Sequence, residues 1–524
     1  MESLKLTFPS IQTGREFIID TDPNSVESWL NNLAFVETDQ TIHELTRVAH
    51  TLNRCPHKLV AREKNFYLLS QGYLTLSRHM REQHDRHKAF VDKQQYKSLH
   101  LLSSEMAFGF KRIIDELTSQ KMFFKRGRLA NAINHAQHYL GLMLIEQYQL
   151  YSPIPSFIWR ELHLLYEFAE KQRLVDRKLY KETPNPLEPC ISIKQSYIRN
   201  CLMSVVNPYH IEDNQHWHLF KYLAHWSQVV EITADLERYS QQRCFVLDLS
   251  ESNKPHIATD DSDYQSESHI RLIKTDTLIA TIEKQLQAFK DSQKLPDPGF
   301  YDGIEPSNAY KLLERINDFC DTFVARDSTR YPLLTDVDTV WGLTNIKKVI
   351  LNEKEMGREL ELDAELPKTL GNSYKTNFRW RAVNHSEGGI CLQNAIQEVD
   401  DLRIGNLVIL KRYVNNKPQK QWQLAIVRWL TGDKKSGSVV GLEYIHGEMC
   451  FIDYLTTNKL KQTVEHPVLL IKPFDSSNPI LIAAKNLLGS QKIIQIKVDD
   501  EEREARLSHL IETNSKVSIF GLVY

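Results

Sequence analysis

Across residues 1–240 the apolar positions recur at helical intervals. Leu129, Ile133, Ala136, Leu140 and Met143 are spaced by four, three, four and three. Trp159, Leu162, Tyr166 and Ala169 form a second ladder, and Leu219, Leu223, Trp226 and Val230 a third. At 3.6 residues per turn each set lies on one helix face, which has to be buried against another helix. The expected product is an all-α helical bundle or a stack of helical hairpins. No fixed repeat period runs through it, and the signature residues of tetratricopeptide repeats are absent. The opening alternation Leu4, Leu6, Phe8 reads as a short strand.

Residues 241–318 read as a connecting region. Cys244–Ser250 is a strand candidate, and residues 251–268 are polar and acidic, as a linker or exposed loop would be. Helical spacing returns with Leu278, Ile282 and Leu286. A break follows at Pro296, Pro298, Gly299 and Gly303, and a last helix runs from about Ser307 to Val324. Beyond Arg326 the pattern changes to short β-rich runs: Thr335–Leu343, Phe378–His385, Gly389–Leu392, Gly405–Tyr413, Gln421–Leu430 and Ser438–Ile445. Six such runs separated by turn residues predict a small antiparallel barrel over residues 319–455. Val468–Phe474, Ile480–Ala484, Lys492–Val498 and Val517–Val523 are further strand candidates. Residues 456–524 are therefore either a β extension of the barrel or a second small barrel. The fold class expected for the whole is multidomain α+β.

Composition narrows the chemistry. The 524 residues carry a net charge of −2 with a pI near 6.9. That balance gives no electrostatic case for general nucleic-acid binding, and an anionic ligand needs a local cluster of Arg and Lys. The seven cysteines are odd in number and form no CxxC pair. Neither a disulfide framework nor a zinc site of the usual spacing is expected, and a reducing cytosol fits this usage. Met1–Asp20 lacks the apolar core of a signal peptide, and no run approaches 18 apolar residues, so no membrane insertion is expected.

Two short motifs carry chemistry. Arg326-Asp-Ser-Thr-Arg330 stands where the chain leaves a helix and enters the β region. Asn384-His-Ser-Glu-Gly-Gly389 ends the run Phe378–Val383. Two arginines four apart clamp a ligand from one side, because a guanidinium fork pairs with phosphate and with the O6/N7 edge of guanine. Asn384 and Ser386 offer hydrogen bonds from a strand end. Gly388 and Gly389 allow a tight turn and close approach of backbone. Together the motifs resemble the RxxxR and (D/N)xSxxG signatures of PilZ domains. Gly405-Asn-Leu-Val-Ile-Leu410, Ala425-Ile-Val-Arg-Trp429 and Val440-Gly-Leu-Glu-Tyr444 are similar to the later strands of that barrel. The resemblance covers roughly residues 320–455. It implies a bacterial, cytoplasmic receptor that binds the second messenger cyclic di-GMP at Arg326, Arg330, Asn384, Ser386, Gly388 and Gly389. It implies no catalytic residue, no metal and no cofactor, and it leaves the helical half to meet an unidentified protein partner.

One departure from the family pattern bears on the site. Arg330 and Asn384 are 54 positions apart, longer than is typical. The excess falls in Ile346–Lys375, a charged, partly helical insertion that either covers the ligand site or blocks it. Arg379 and Arg381 are a second basic pair that could replace one of the expected arginines. Trp341 either stacks on a guanine or fills the barrel. Glu443 either assists the site or only holds a surface position. If the insertion blocks the face, the alternative is a degenerate PilZ-like scaffold that binds no nucleotide.

Other features read as ordinary structure. Arg173-Leu-Val-Asp-Arg177 also fits RxxxR, but it lies in a helical segment with no partner motif, and a solvated helix face explains it. His84 and His87 share a helix face, but the Arg and Lys residues around them repel a cation. Lys121–Arg128 reads as an inter-helix turn with Phe123 and Phe124 in the core. Neither a phosphate-binding loop nor a nucleophile elbow is present, and the signatures of enzymes that make or degrade cyclic di-GMP are missing.

Overall fold

The computed structural model describes residues 4–12, 20–87, 92–119, 125–179, 192–212, 214–236, 244–257, 268–297, 299–320, 329–360, 378–394, 402–415, 417–433, 437–457, 462–474, 478–489, 493–498, 501–514 and 516–523. The chain divides into two compact units, Met1–Pro208 with Asp213–Ala325, and Tyr209–Glu212 with Arg326–Tyr524.

The first unit is mainly helical. It comprises α1 (Pro23–Asn31), α2 (Thr38–Arg54), α3 (Leu59–His87), α4 (Lys93–Ser119), α5 (Arg126–Gln149), α6 (Ser156–Lys171), α7 (Ile193–Val205) and α8 (Gln215–Trp226). The strands β1 (Glu231–Thr233), β2 (Cys244–Asp248), β3 (His256–Ile257) and β4 (Ile270–Lys274) form one antiparallel sheet in the order β1-β4-β2-β3. The helices α9 (Asp276–Ser292) and α10 (Pro306–Cys320) complete the unit.

The first two apolar ladders lie each on one helix. The first falls on α5, which is buried on almost every side and forms the centre of the bundle. The second falls on α6. The third runs past its helix: α8 ends at Trp226, and Val230 is buried just before β1. The opening alternation forms no strand. Instead the backbone N–H of Thr7 donates to Glu161 Oε1 at 2.7 Å, and Phe8 lies under the Arg112 guanidinium. Glu161 is itself buried and paired with buried Lys111 at 2.6 Å. A buried charge needs such a partner, and the pair holds the N-terminal segment to α4 and α6 through side chains rather than a ladder. The His84 and His87 side chains and residues 120–124 lie outside the described residues.

The second unit holds β5 (Tyr331–Pro332), β6 (Asp336–Trp341), α11 (Leu343–Leu360), β7 (Phe378–His385), β8 (Gly389–Asn394), β9 (Leu407–Val414), β10 (Lys417–Pro418), β11 (Gln423–Asp433) and β12 (Gly437–Ile445). Six of these strands pair around a ring, β6-β7-β8-β12-β11-β9 and back to β6, every pair antiparallel. They correspond to the six β-rich runs read from the sequence. Trp380, Ala382, Leu392, Val408, Leu410 and Ala425 point inward and are buried.

The chain continues through β13 (Glu448–Thr457), β14 (Thr463–Lys472), β15 (Ile480–Ala484), β16 (Ile493–Val498), β17 (Glu501–Thr513) and β18 (Val517–Val523). These close into a second barrel in the order β13-β14-β15-β18-β17-β16. The two barrels share one apolar cluster. Val340, Leu407, Ile409 and Leu424 of the first meet Leu469, Ile471, Ile482, Val517 and Ile519 of the second, with Ile346 and Val349 of α11 among them. Among the described residues no helix is long and apolar enough to cross a membrane.

Candidate functional site

Strand alternation separates inward from outward positions, and the outward positions of the first barrel make two walls. On one wall, Asp338 and Val340 of β6 and Leu407, Ile409 and Lys411 of β9 face outward, as their cross-strand pairing requires. This wall is covered. Val340, Leu407 and Ile409 lie in the shared cluster, and Glu353 of α11 pairs with Lys411 at 2.8 Å and accepts from Trp422 Nε1 at 3.0 Å. The described part of the 346–375 insertion therefore packs on this wall. Residues 361–377 lie outside the described residues.

The other wall is formed by β7, β8 and β12. Arg381 pairs with Gln393, and Asn384 pairs with Cys391, which in turn pairs with Gly441. Gly389 pairs with Glu443. In an unbroken strand Arg381 and Asn384, three residues apart, would face opposite ways. A β-bulge between Ala382 and Asn384 adds one residue at exposed Val383 and turns Asn384 onto the face that carries Arg381.

The turn that follows is tight. Ser386 N–H donates to Gly389 O at 2.8 Å, and Tyr444 N–H donates to Gly388 O at 2.9 Å. A Cβ on Gly389 would overlap Leu442 O of β12, so only glycine permits this close approach. A Cβ on Gly388 would meet open space.

β5 supplies the arginine. Tyr331 pairs with His385 and Pro332 with Asn384, so one step further along the same register Arg330 comes opposite Ser386. Arg330 is exposed. Its charge acts on the Cys391 thiol, whose pKa burial raises. Among the described residues the side chains of Arg330, Arg381, Asn384 and Ser386 make no hydrogen bond or ion pair. Arg326 lies outside the described residues.

The remaining sequence candidates have other settings. Arg379 donates to Asp338 at 3.2 Å and to the Tyr413 hydroxyl at 2.7 Å, with its guanidinium over the Tyr413 ring. The Asp338 hydrogen bond raises its pKa. Trp341 pairs with Val408 in the inward-facing series and stands half-buried at the far end of β6. Five residues separate it from Asp336, the partner of Arg381, or about 17 Å of strand. The tryptophan that fills the barrel is Trp380. Glu443 accepts from Nε of Arg428, and Arg428 also grips Glu512 of β17 through two bonds of 2.6 and 2.9 Å. Burial works against the Arg428 charge, but the carboxylates, Glu512 first, outweigh it and hold its pKa above the ordinary value.

Trp429 is a residue of this region that the motif reading passes over. Its indole lies against Gly441, where a Cβ would overlap Nε1. Within the unit the ring of His210 also stacks on it, at 6.3 Å between centroids. The available signal was the pairing of a tryptophan on one strand with a glycine on the next, which becomes visible only when the β11–β12 register is known.

Comparison with known proteins agrees with this architecture. Residues 355–448 match the family model described as the middle PilZ domain of the cyclic-di-GMP receptor FimW. Residues 24–237 match the model of that receptor's N-terminal domain. The chain is a PilZ-domain protein. A relative, the cyclic-di-GMP receptor FimW of Pseudomonas aeruginosa, is 23% identical over 580 residues, covering 99% of this chain and 93% of the relative.

Proposed function

We propose that the wall formed by β7, β8 and β12 binds cyclic di-GMP, and that the protein is a second-messenger receptor rather than an enzyme. One observation carries the reading. Arg330, Arg381, Asn384 and Ser386 converge by register at one strand end, and none is bonded among the described residues. Polar groups left without a partner among the described residues are available to a ligand, and guanidinium groups suit its phosphates and its guanine O6/N7 edges. The match to a PilZ domain and the printed function of the 23%-identical relative support the same ligand. Among the described residues the wall shows no paired acid and base and no nucleophile beside a base, and binding without catalysis is the activity that fits them. The side chains of Ile346 and Val349 at the start of the insertion pack on the covered wall, which supports an open face over β7, β8 and β12.

In this reading the helical unit, much of which matches the relative's N-terminal domain, meets a protein partner. Ligand binding shifts that contact by favouring one conformation over another. Arg379 and Glu443 are supporting groups, and Trp341 belongs to the barrel interior.

Isothermal titration of the full chain with cyclic di-GMP, with GTP and cyclic di-AMP as controls, tests the reading. Saturable 1:1 or 2:1 binding of cyclic di-GMP alone is expected, and no heat at protein concentrations of tens of micromolar would sink it.

A further inference from the structure

We propose that Glu443 is a specificity-determining residue of this wall that reads the Watson–Crick edge of a guanine, and that Arg428 and Glu512 are the positioning residues that hold it there. The inference rests on the cyclic di-GMP reading above and names how the base is told from its competitors.

Glu443 faces outward on β12 directly opposite Gly389, the last residue of the Asn384–Gly389 turn. From Asn384 it is two strands across and two residues along, about 12 Å by strand geometry. Its side chain is 53% exposed. Oε2 accepts from Arg428 Nε, and among the described residues Oε1 makes no hydrogen bond. A carboxylate has about four lone-pair positions, so one bond to Arg428 leaves capacity to accept two more. The Watson–Crick edge of guanine offers two adjacent donors, N1–H and the 2-amino group. Adenine turns a lone pair toward the same place, which a carboxylate repels. Arginine forks elsewhere on the wall suit the other edge of a guanine, so the two recognition modes do not compete.

The aim of Glu443 is set from the second barrel. Arg428 occupies a bulge in β11 between Val427 and Trp429. Both terminal nitrogens of its guanidinium are fixed on Glu512 of β17, and this leaves Nε pointing at Glu443. A two-point grip fixes the plane of the fork, and with it the rotamer of the carboxylate it touches.

The test compares cyclic di-GMP with cyclic di-IMP, which has the same ring but lacks the 2-amino group. Calorimetry on the full chain should show cyclic di-GMP bound about 10- to 100-fold tighter, the range for one hydrogen bond to a charged group. In Glu443→Gln and Glu443→Asp the preference should fall to about threefold or less, because cyclic di-IMP, which keeps only the N1–H donor, loses less affinity than cyclic di-GMP. Glu512→Gln should lower the same ratio with no change at Glu443 itself. Melting midpoints within a few degrees of wild type show that each variant is folded. If the wild-type chain binds cyclic di-GMP but the Glu443 variants keep its full preference, the specificity role is overturned and the receptor reading stands. If only the Glu512 variant behaves as wild type, the positioning role is overturned. If the wild-type chain binds neither ligand, the receptor reading itself fails.

Discussion

The two outer walls of the PilZ barrel use the same strand alternation for opposite ends. Over β6 and β9 the outward positions are Val340, Leu407 and Ile409, and they disappear into a cluster shared with α11 and the second barrel. The charges at its margin are consumed locally, Lys411 by Glu353 and Arg379 by Asp338. Over β7 and β8 the outward positions are Arg381, Gln393, Asn384 and Cys391, and no element of the shared cluster packs there. An arginine in the sequence is therefore not a site in itself. Arg379 and Arg381 are two residues apart on one strand and one face, yet the first is engaged by Asp338 and Tyr413 and the second has no partner among the described residues.

Substitutions can break or sharpen this contrast. The largest effect is expected on the covered wall. Ile409→Ala removes a fully buried side chain between the two barrels and should cost about 2–5 kcal/mol in chemical denaturation. Cyclic di-GMP affinity of the folded fraction should be unchanged. A loss of affinity without loss of stability would place the ligand on this wall instead. Next comes Arg330→Ala on the open wall. It should weaken cyclic di-GMP binding about 10- to 100-fold. As an exposed side chain with no bond to the described residues, it should leave stability within about 0.5 kcal/mol. Wild-type affinity in the calorimeter would remove Arg330 from the site.

A bulky residue at the turn tests whether the two walls are independent. Gly389→Ala drives a Cβ into Leu442 O, and the β8–β12 pairing must shift, at a cost of about 1–3 kcal/mol. Both stability and affinity should fall together, because the same hydrogen bonds that close the sheet place Asn384 and Ser386. The smallest effect belongs to Arg379→Ala. Its ion pair with Asp338 is 59% exposed on the arginine side, and such pairs contribute about 0–1 kcal/mol. Neither the unfolding midpoint nor the affinity should move by more than that. A tenfold loss of affinity would show that Arg379 leaves Asp338 to join the ligand.

Much of the fold was legible in the residue pattern. The ladder beginning at Leu129 is α5, and Trp159, Leu162, Tyr166 and Ala169 lie on α6. The six β-rich runs are the six strands of the ring. Two long strands escaped notice, β13 and β17. In β17 only Ala505 and Leu507 are buried, and register shifts after Leu507 and Leu510 break the alternation that marks a strand. Most of its residues opposite β16 are polar or charged, with Glu502 opposite Lys497 and Glu504 opposite Gln495, a pattern that sequence alone cannot separate from a solvated loop. The end of the third ladder was misjudged for the opposite reason. Val230 is buried, but it lies past the end of α8, just before β1.

The sequence by itself determined that a barrel of this kind would form, and that Asn384–Gly389 would be its first hairpin turn. Those outcomes follow from local rules: alternation with period two, and glycine where backbones must touch. Which polar residues share a face was decided only by tertiary structure. Arg381 and Asn384 have the wrong spacing for one side of a strand, and the bulge at Val383 puts them there. Glu443 and Glu512 are 69 positions apart and meet only through Arg428. The position of the insertion's helix was likewise set by where Ile346 and Val349 found a shared core. Burial of apolar area has no direction of its own. It therefore fixes which wall is covered only after both barrels exist to cover it.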